Sequence, residues 1–192
     1  MSKPSITRNR ADRPSSDFYP TPEHVTEALL QRERFRGVIW EPACGCGDMS
    51  RVIERHGYDV RSTDLFDRGY GAAGIDFVME TELDPKIGAI VTNPPFKLAE
   101  AFIETCFRLD VDKFAVFQRL SFIEGRGRYR RIFKNRPPAR VWAFSQRVTL
   151  QPAGERGERR KSGFMAFAWY VWDRPTWEKP GRTTELHWIG DE

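Results

Sequence analysis

Nowhere does the sequence hold an apolar run approaching the roughly 18 residues needed to span a bilayer. Its opening stretch, MSKPSITRNRADRPSSD, lacks the apolar centre of a secretory signal. A cytoplasmic protein with no membrane partner is expected. Cysteine is scarce, and Cys44, Cys46 and Cys106 are odd in number, with two of them separated by a single residue. That spacing suits neither a disulfide framework nor the usual zinc motifs, so the thiols are expected to be reduced and packed. The three histidines, His24, His56 and His187, are scattered along the chain, and no metal is expected. No internal repeat is visible, which argues against a solenoid.

What the chain does have is a length of 192 residues with 40% hydrophobic content, enough for one sizeable core and too little for two. Its net charge of +4 is a weak hint of a polyanionic partner, but the distribution says more. Between Gly125 and Lys161 stand twelve Lys or Arg residues against two acids, Glu155 and Glu158; twelve minus two gives +10, so the remainder of the chain is acidic.

Three segments follow from composition. Residues 1–16 are polar, basic and proline-containing and read as a disordered arm. Residues 17–175 hold the folded domain, and 176–192 form a tail packing on it, with Trp177 and Trp188 expected to cover the sheet edge. Within the domain, PEHVTEALLQRERF places Val25, Ala28, Leu29 and Arg32 at helical spacing, with Thr21 as the expected cap, Pro22 in the first helical position and Gly37 as the stop. GVIWEP reads as a buried strand, CGCGD as a glycine turn and DMSRVIERHG as a helix. YDVRSTD, GIDFV and KIGAIVTN supply further strands, the last nearly all apolar, as expected of a strand buried on both faces. LAEAFIETCFRL is an amphipathic helix, DKFAVFQRL a strand, and SFIEGRGRYRRIFKN a basic loop and helix. ARVWAFSQRVTL and GFMAFAWYVWD read as an antiparallel pair closing an otherwise parallel sheet. The fold class is therefore α/β, Rossmann-like, with a mostly parallel sheet and an antiparallel C-terminal hairpin.

Several short stretches carry chemistry. In EPACGCGDMS, Gly45, Gly47 and the small Ser50 follow a strand and open a helix, the pattern of a nucleotide-binding turn. A tight strand-to-helix turn would use the same glycines. Asp64 ends the next strand about twenty residues on, where a carboxylate accepts hydrogen bonds from both ribose hydroxyls. Asp76 is placed to accept from an adenine amino group while Phe77 or Leu65 covers the ring, or else it is a plain strand-end turn residue.

The stretch Asn93-Pro94-Pro95-Phe96 is a costly way to build an ordinary turn, because two consecutive residues lose their donors and are fixed near one φ. An aromatic amine is a poor nucleophile, since its lone pair is delocalised, and a catalyst must favour a more tetrahedral nitrogen. The Asn93 side-chain oxygen and the Pro94 carbonyl can each accept one N–H of such an amino group. Phe96 then supplies a ring on which a flipped base stacks, or alternatively packs in the core.

The ordered set FYPTP, EPACGCGD, TDLFD, IDF and NPPF resembles the S-adenosylmethionine-dependent DNA adenine N6-methyltransferases, particularly small phage or prophage members, over roughly residues 17–175. The resemblance implies S-adenosylmethionine as cofactor, held at its methionine end by Tyr19, Thr21 and Glu41 and lined by Gly45. It further implies Asp64 at the ribose, Asp76 and Phe77 at the cofactor adenine, and Asn93, Pro94, Pro95 and Phe96 at the substrate base. The aromatic segment from Phe144 to Val148 corresponds loosely to a base-holding motif of that family, and no role is carried over. Many site-specific relatives append a target-recognition domain, and here the sequence ends shortly after the sheet is expected to close. DNA contacts are therefore expected from Arg126, Arg128, Arg130, Arg131 and Lys134, from Arg159, Arg160 and Lys161, from the N-terminal arm, or from a second subunit in a homodimer, with short or low sequence specificity. Tyr129 and Phe133 could wedge between bases, or Phe133 could be a core residue. RNA adenine or a protein glutamine amide as substrate, and a catalytically silent nucleic-acid-binding relative, are the alternatives.

Overall fold

The computed structural model describes residues 18–150, 165–179 and 181–190. In chain order the elements are α1 (Glu23–Arg32), β1 (Val38–Glu41), α2 (Asp48–Arg55), β2 (Val60–Ser62), β3 (Ile87–Thr92), α3 (Ala99–Arg108), β4 (Lys113–Arg119), α4 (Arg126–Arg128), β5 (Arg140–Phe144), β6 (Phe167–Asp173), α5 (Arg174–Trp177) and β7 (Glu185–Ile189). The α4 turn runs directly into a wider π-helical turn at Tyr129–Phe133. Among the described residues seven strands form one sheet, in the order β2-β1-β3-β4-β6-β5-β7. β6 is antiparallel to both of its neighbours, β4 and β5, while every other pairing is parallel. The expected fold class is the one observed.

Period-two alternation decides which helix each strand side chain meets. On β4, Phe114 and Val116 join Trp40, Ile90, Tyr170 and Trp172 against α3, which contributes Phe102, Ile103 and Cys106. Ala115 and Phe117 face the other way, with Ile39, Val91 and Trp169, against Val25 and Leu29 of α1 and Met49, Val52 and Ile53 of α2. Both faces of the central strands are thus covered, which is why KFAVF and IGAIV read as unbroken apolar runs. Each fully buried large side chain contributes about 1.5–3 kcal/mol by area, and Phe117, stacked on Phe167 at 5.1 Å, is one of the largest.

Four local expectations change. Pro22 occupies the N-cap rather than the first helical position, and Thr21 does not cap α1. The helix ends at Arg32, with Glu33 as its C-cap four residues before Gly37. GIDFV is not a strand: Asp76 accepts the Val78 N–H at 3.2 Å and starts a short 3-10 turn at Phe77–Met79, a local bond that competes with sheet pairing. Finally, ELHWI within the tail forms β7, paired in parallel with β5 as an edge strand. Trp177 packs beside Phe107 and Phe114, whereas Trp188 is 66% exposed.

At the edge opposite the strand ends discussed below, Glu33 is 3% exposed. It accepts from Arg140 Nε at 2.6 Å and from Trp142 Nε1 at 2.8 Å, and pairs with Lys113 Nζ at 2.7 Å. Arg140 also reaches Asp173 at 2.8 Å. Burial alone would raise the Glu33 carboxyl, but the hydrogen bonds from Arg140, Lys113 and Trp142 outweigh it and hold the group below its ordinary value.

Candidate functional site

The carboxyl ends of β1, β2, β3 and β4 lie at one edge of the sheet, and the chain spaces its unusual residues along that edge. In open α/β sheets this is where ligands bind. After β1, the turn to α2 takes Gly45 at φ +56° and Gly47 at φ +81°, the left-handed region. Space also demands glycine: a Cβ on Gly45 would lie 2.2 Å from the Phe18 ring, and one on Gly47 2.5 Å from the Tyr70 ring. Phe18 is in turn capped by the Arg68 guanidinium, 4.2 Å from its centroid.

Asp64, just beyond β2, is 8% exposed. Its Oδ2 accepts the Gly45 N–H at 2.9 Å and its Oδ1 the Phe66 N–H at 2.9 Å, so one carboxylate ties the glycine turn to the second loop. Each oxygen retains a lone pair for a hydroxyl. Glu41, at the end of β1, is 2% exposed and accepts from the Ser50 hydroxyl and backbone N–H, with Ser62 Oγ a further 2.6 Å from Ser50 Oγ. Burial pushes its carboxyl up to about 8, with Asp48 and Asp64 adding repulsion against the Ser50 bonds. Glu41 thus ties the end of β1 to the first turn of α2. Burial, then Glu41 and Asp64, push the Cys44 thiol up to about 12, and all three cysteines are free thiols.

Asp76 is half-buried, with Oδ1 engaged by Val78 and no hydrogen bond to its other oxygen among the described residues. Phe77 is placed differently from the ring cover expected of it. At 2% exposure it packs edge-on to Trp40 at 5.1 Å and against Phe102 at 4.9 Å, inside the core, because the 3-10 turn rotates it inward. Leu65, 43% exposed, is the apolar side chain left at the rim.

At the end of β3 the Asn93 amide donates through Nδ2 to the Tyr19 carbonyl at 3.3 Å and to Thr21 Oγ1 at 3.0 Å. A carbonyl can only accept, so this contact fixes which way the amide points. Asn93 Oδ1 and the Pro94 carbonyl accept no hydrogen bond from any described residue. Tyr19 and Thr21 therefore reach the strand end that carries Asn93, and Thr21 spends its hydroxyl there instead of on α1. Pro94 is buried, and Pro95 leads into a 3-10 turn at Phe96–Leu98. Phe96 is half-buried, 5.9 Å from the Tyr19 ring and 6.0 Å from Phe167, with the Arg119 guanidinium 4.7 Å from its centroid.

The basic segment divides. Arg128 Nε reaches Glu100 at 3.2 Å while its Nη1 donates to the Phe122 and Glu124 carbonyls. Arg131 donates to Glu100 through Nε at 3.1 Å and Nη2 at 2.5 Å. These two, expected as nucleic-acid contacts, anchor the segment to the first turn of α3, just after Phe96. Ile132 is buried and Phe133 half-buried against Phe122, so Phe133 serves the core. Arg126, Tyr129, Arg130 and Lys134 remain exposed. Arg159, Arg160 and Lys161 lie outside the described residues, as does the arm at 1–16. Sequence reasoning passed over Arg119, Glu100 and Phe18. Only the strand order, which seats β4 beside β3, shows that Arg119 reaches Phe96, in the turn after Asn93.

No family model matches the chain, and no curated protein matches it. Solved structures share its fold. A modification subunit assigned to a type I restriction enzyme of Vibrio vulnificus superposes with a TM-score of 0.60 at 12% identity, over 95% of this chain and 49% of that one. A protein assigned as an RNA methyltransferase from Pyrococcus horikoshii gives 0.58 at 14%, over 85% and 90%. One assigned as a class I S-adenosylmethionine-dependent methyltransferase from Listeria monocytogenes gives 0.50 at 16%, over 87% and 62%. The chain thus spans about half the length of the Vibrio subunit. At these identities the likeness is one of fold, that of the class I methyltransferases.

Proposed function

We propose that the chain transfers a methyl group from S-adenosylmethionine to the N6 amino group of adenine in DNA. The observation that carries this reading is the orientation of Asn93: its amide hydrogens are held by Tyr19 and Thr21, which leaves Oδ1, like the Pro94 carbonyl of the next residue, an acceptor with no donor among the described residues. Two acceptors on rigid supports suit an NH2 group that must gain positive charge as it reacts.

The residues present fit the cofactor. Asp64 keeps a lone pair on each oxygen for the ribose hydroxyls, Asp76 keeps one oxygen for an amino group, and two glycines hold a turn that no side chain could occupy. Glu41 would act through its hold on the first turn of α2, and Leu65 would cover the adenine face. When bound, S-adenosylmethionine supplies an electrophilic methyl on a sulfonium. Asn93 Oδ1 and the Pro94 carbonyl would bind the two amino hydrogens, bend the nitrogen toward tetrahedral geometry and favour its attack. The N–CH3 bond would form as the S–CH3 bond breaks, with the bonding pair returning to sulfur so that a neutral thioether leaves, and one amino proton would pass to solvent. Pro95 would hold the acceptors in place, and Phe96 would pack against the base.

DNA as the polymer is supported by the exposed Arg126, Arg130 and Lys134 beside the site, by the basic stretch at 156–161 and by the fold shared with a restriction-modification subunit. RNA adenine is the second reading, because an assigned RNA methyltransferase shares the fold almost end to end. A protein amide fits this basic surface less well. Labelled S-adenosylmethionine offered with equal masses of unmethylated DNA, RNA and a mixed protein extract separates the three. Label in DNA is the expected result, and label confined to RNA or protein overturns the choice of polymer.

A further inference from the structure

Arg119 ends β4 on the same sheet face as Ala115 and Phe117, and Asn93 follows β3 on the face of Val91. The register pairs Thr92 with Val116, so Arg119 lies two residues beyond the level of Asn93 on the neighbouring strand and reaches the turn after Asn93, where its guanidinium is 4.7 Å from the Phe96 centroid. Its backbone is fixed by Tyr170, whose hydroxyl donates to the Arg119 and Leu120 carbonyls at 3.2 and 2.9 Å, and by pairing with Phe167. The side chain is less well provided for. Its guanidinium lies over the Phe96 ring, its Nε is buried with no hydrogen-bond partner, and no ion pair holds it among the described residues. A guanidinium whose Nε–H is buried and unpaired, beside a polyanion's target site, is a group waiting for an acceptor.

Arginine is planar and weakly hydrated and stacks on aromatic faces much as a base does. Phe96 has Tyr19 and Phe167 tilted beside it at 5.9 and 6.0 Å, and the Arg119 guanidinium, 4.7 Å from its centroid, sits closer than either ring. We propose that Arg119 contacts the substrate directly: in the free protein it fills the stacking slot on Phe96, and when a base enters it moves aside and clamps a phosphate of the same strand. This inference rests on the reading of Phe96 as the base platform. A phosphate offers two oxygens to the guanidinium fork, meeting the donors that the resting position leaves unpaired.

The test is binding of a fluorescent DNA duplex, followed by anisotropy from 50 to 200 mM salt, for wild type, Arg119→Met and Arg119→Lys. Methionine keeps an unbranched apolar chain on Phe96 but removes the charge; lysine keeps the charge. One lost phosphate contact lowers the slope of log affinity against log salt by about 0.9. Arg119→Met is expected to show that drop with roughly tenfold weaker binding, while Arg119→Lys retains the wild-type slope and thermal midpoints are unchanged. A wild-type slope and affinity in Arg119→Met make the residue a packing lid and overturn the proposal. Methyl transfer by the wild type, measured in parallel, keeps the two readings apart. Transfer with an unaffected Arg119→Met defeats only the inference, and slope loss without transfer defeats only the reaction. Absence of duplex binding by the wild type defeats both.

Discussion

Asn93 has only its acceptor left to offer once Tyr19 and Thr21 have taken its two donors, and that narrows what the residue can do. Its proposed role is confined to the substrate, so Asn93→Ala is expected to lower turnover at least 100-fold, a value typical of losing one preorganised group at a reacting centre. Cofactor affinity, measured by calorimetry, should stay within about twofold. Glu41 supports a different prediction. Its carboxyl is raised in the folded protein to about 8 from an ordinary 4.5. Its contribution to stability is therefore fully present below the unfolded value and is lost as pH rises through the folded one. Glu41→Gln, which stays neutral, should flatten the stability profile between pH 5 and 8 when denaturant midpoints are compared. A profile that keeps the wild-type slope would place the ionisation elsewhere.

Among the elements, the Glu33 cluster locks the end of α1 to β4, β5 and β6 through Lys113, Arg140, Trp142 and Asp173. Breaking a buried ion pair on one side leaves its partners uncompensated, and Glu33→Gln is expected to cost about 3 kcal/mol in denaturant unfolding at pH 7. Because the Glu33 carboxyl is held low, its contribution exists above the ordinary value of 4.5 and disappears as pH falls through the depressed one. The gap between mutant and wild type should close in acid. None of this cluster was legible in the sequence, since its members lie up to 140 residues apart. Elements that bury a regular pattern were legible: IGAIV and KFAVF announce strands covered on both faces, and DMSRVIER a helix with one apolar side. GIDFV was misread because Asp76 bonds to its own turn, and β7 was passed over because ELHWI buries only Ile189 and shows no alternation to read. At the site, the glycines and NPPF declare themselves by residue type. Arg119 looks like any strand-end arginine until the sheet order seats β4 beside β3 and brings it over Phe96.

At the scale of the whole molecule, the sheet edge gathers two kinds of surface. Carboxylates Asp64 and Asp76 lie toward the β1 and β2 side, and the exposed cations Arg126, Arg130 and Lys134 lie beyond β4, anchored through Arg128, Arg131 and Glu100 to the turn after Phe96. The proposed cofactor and nucleic acid would thus approach from opposite sides of Asn93. Replacing Arg126, Arg130 and Lys134 together by Gln should lower the slope of log affinity against log salt for duplex DNA by up to about 2.7, one unit of 0.9 for each phosphate contact. An unchanged slope would move the DNA surface off this segment. The central claim is the reaction itself, and digestion to nucleosides tests it most directly. Unmethylated plasmid is incubated with the protein and isotopically labelled S-adenosylmethionine, digested, and read by mass spectrometry, with Asn93→Ala alongside. The account predicts labelled N6-methyladenine from the wild type and a trace or none from the variant. Label in any other nucleoside, or none in DNA while the cofactor still binds, would contradict it.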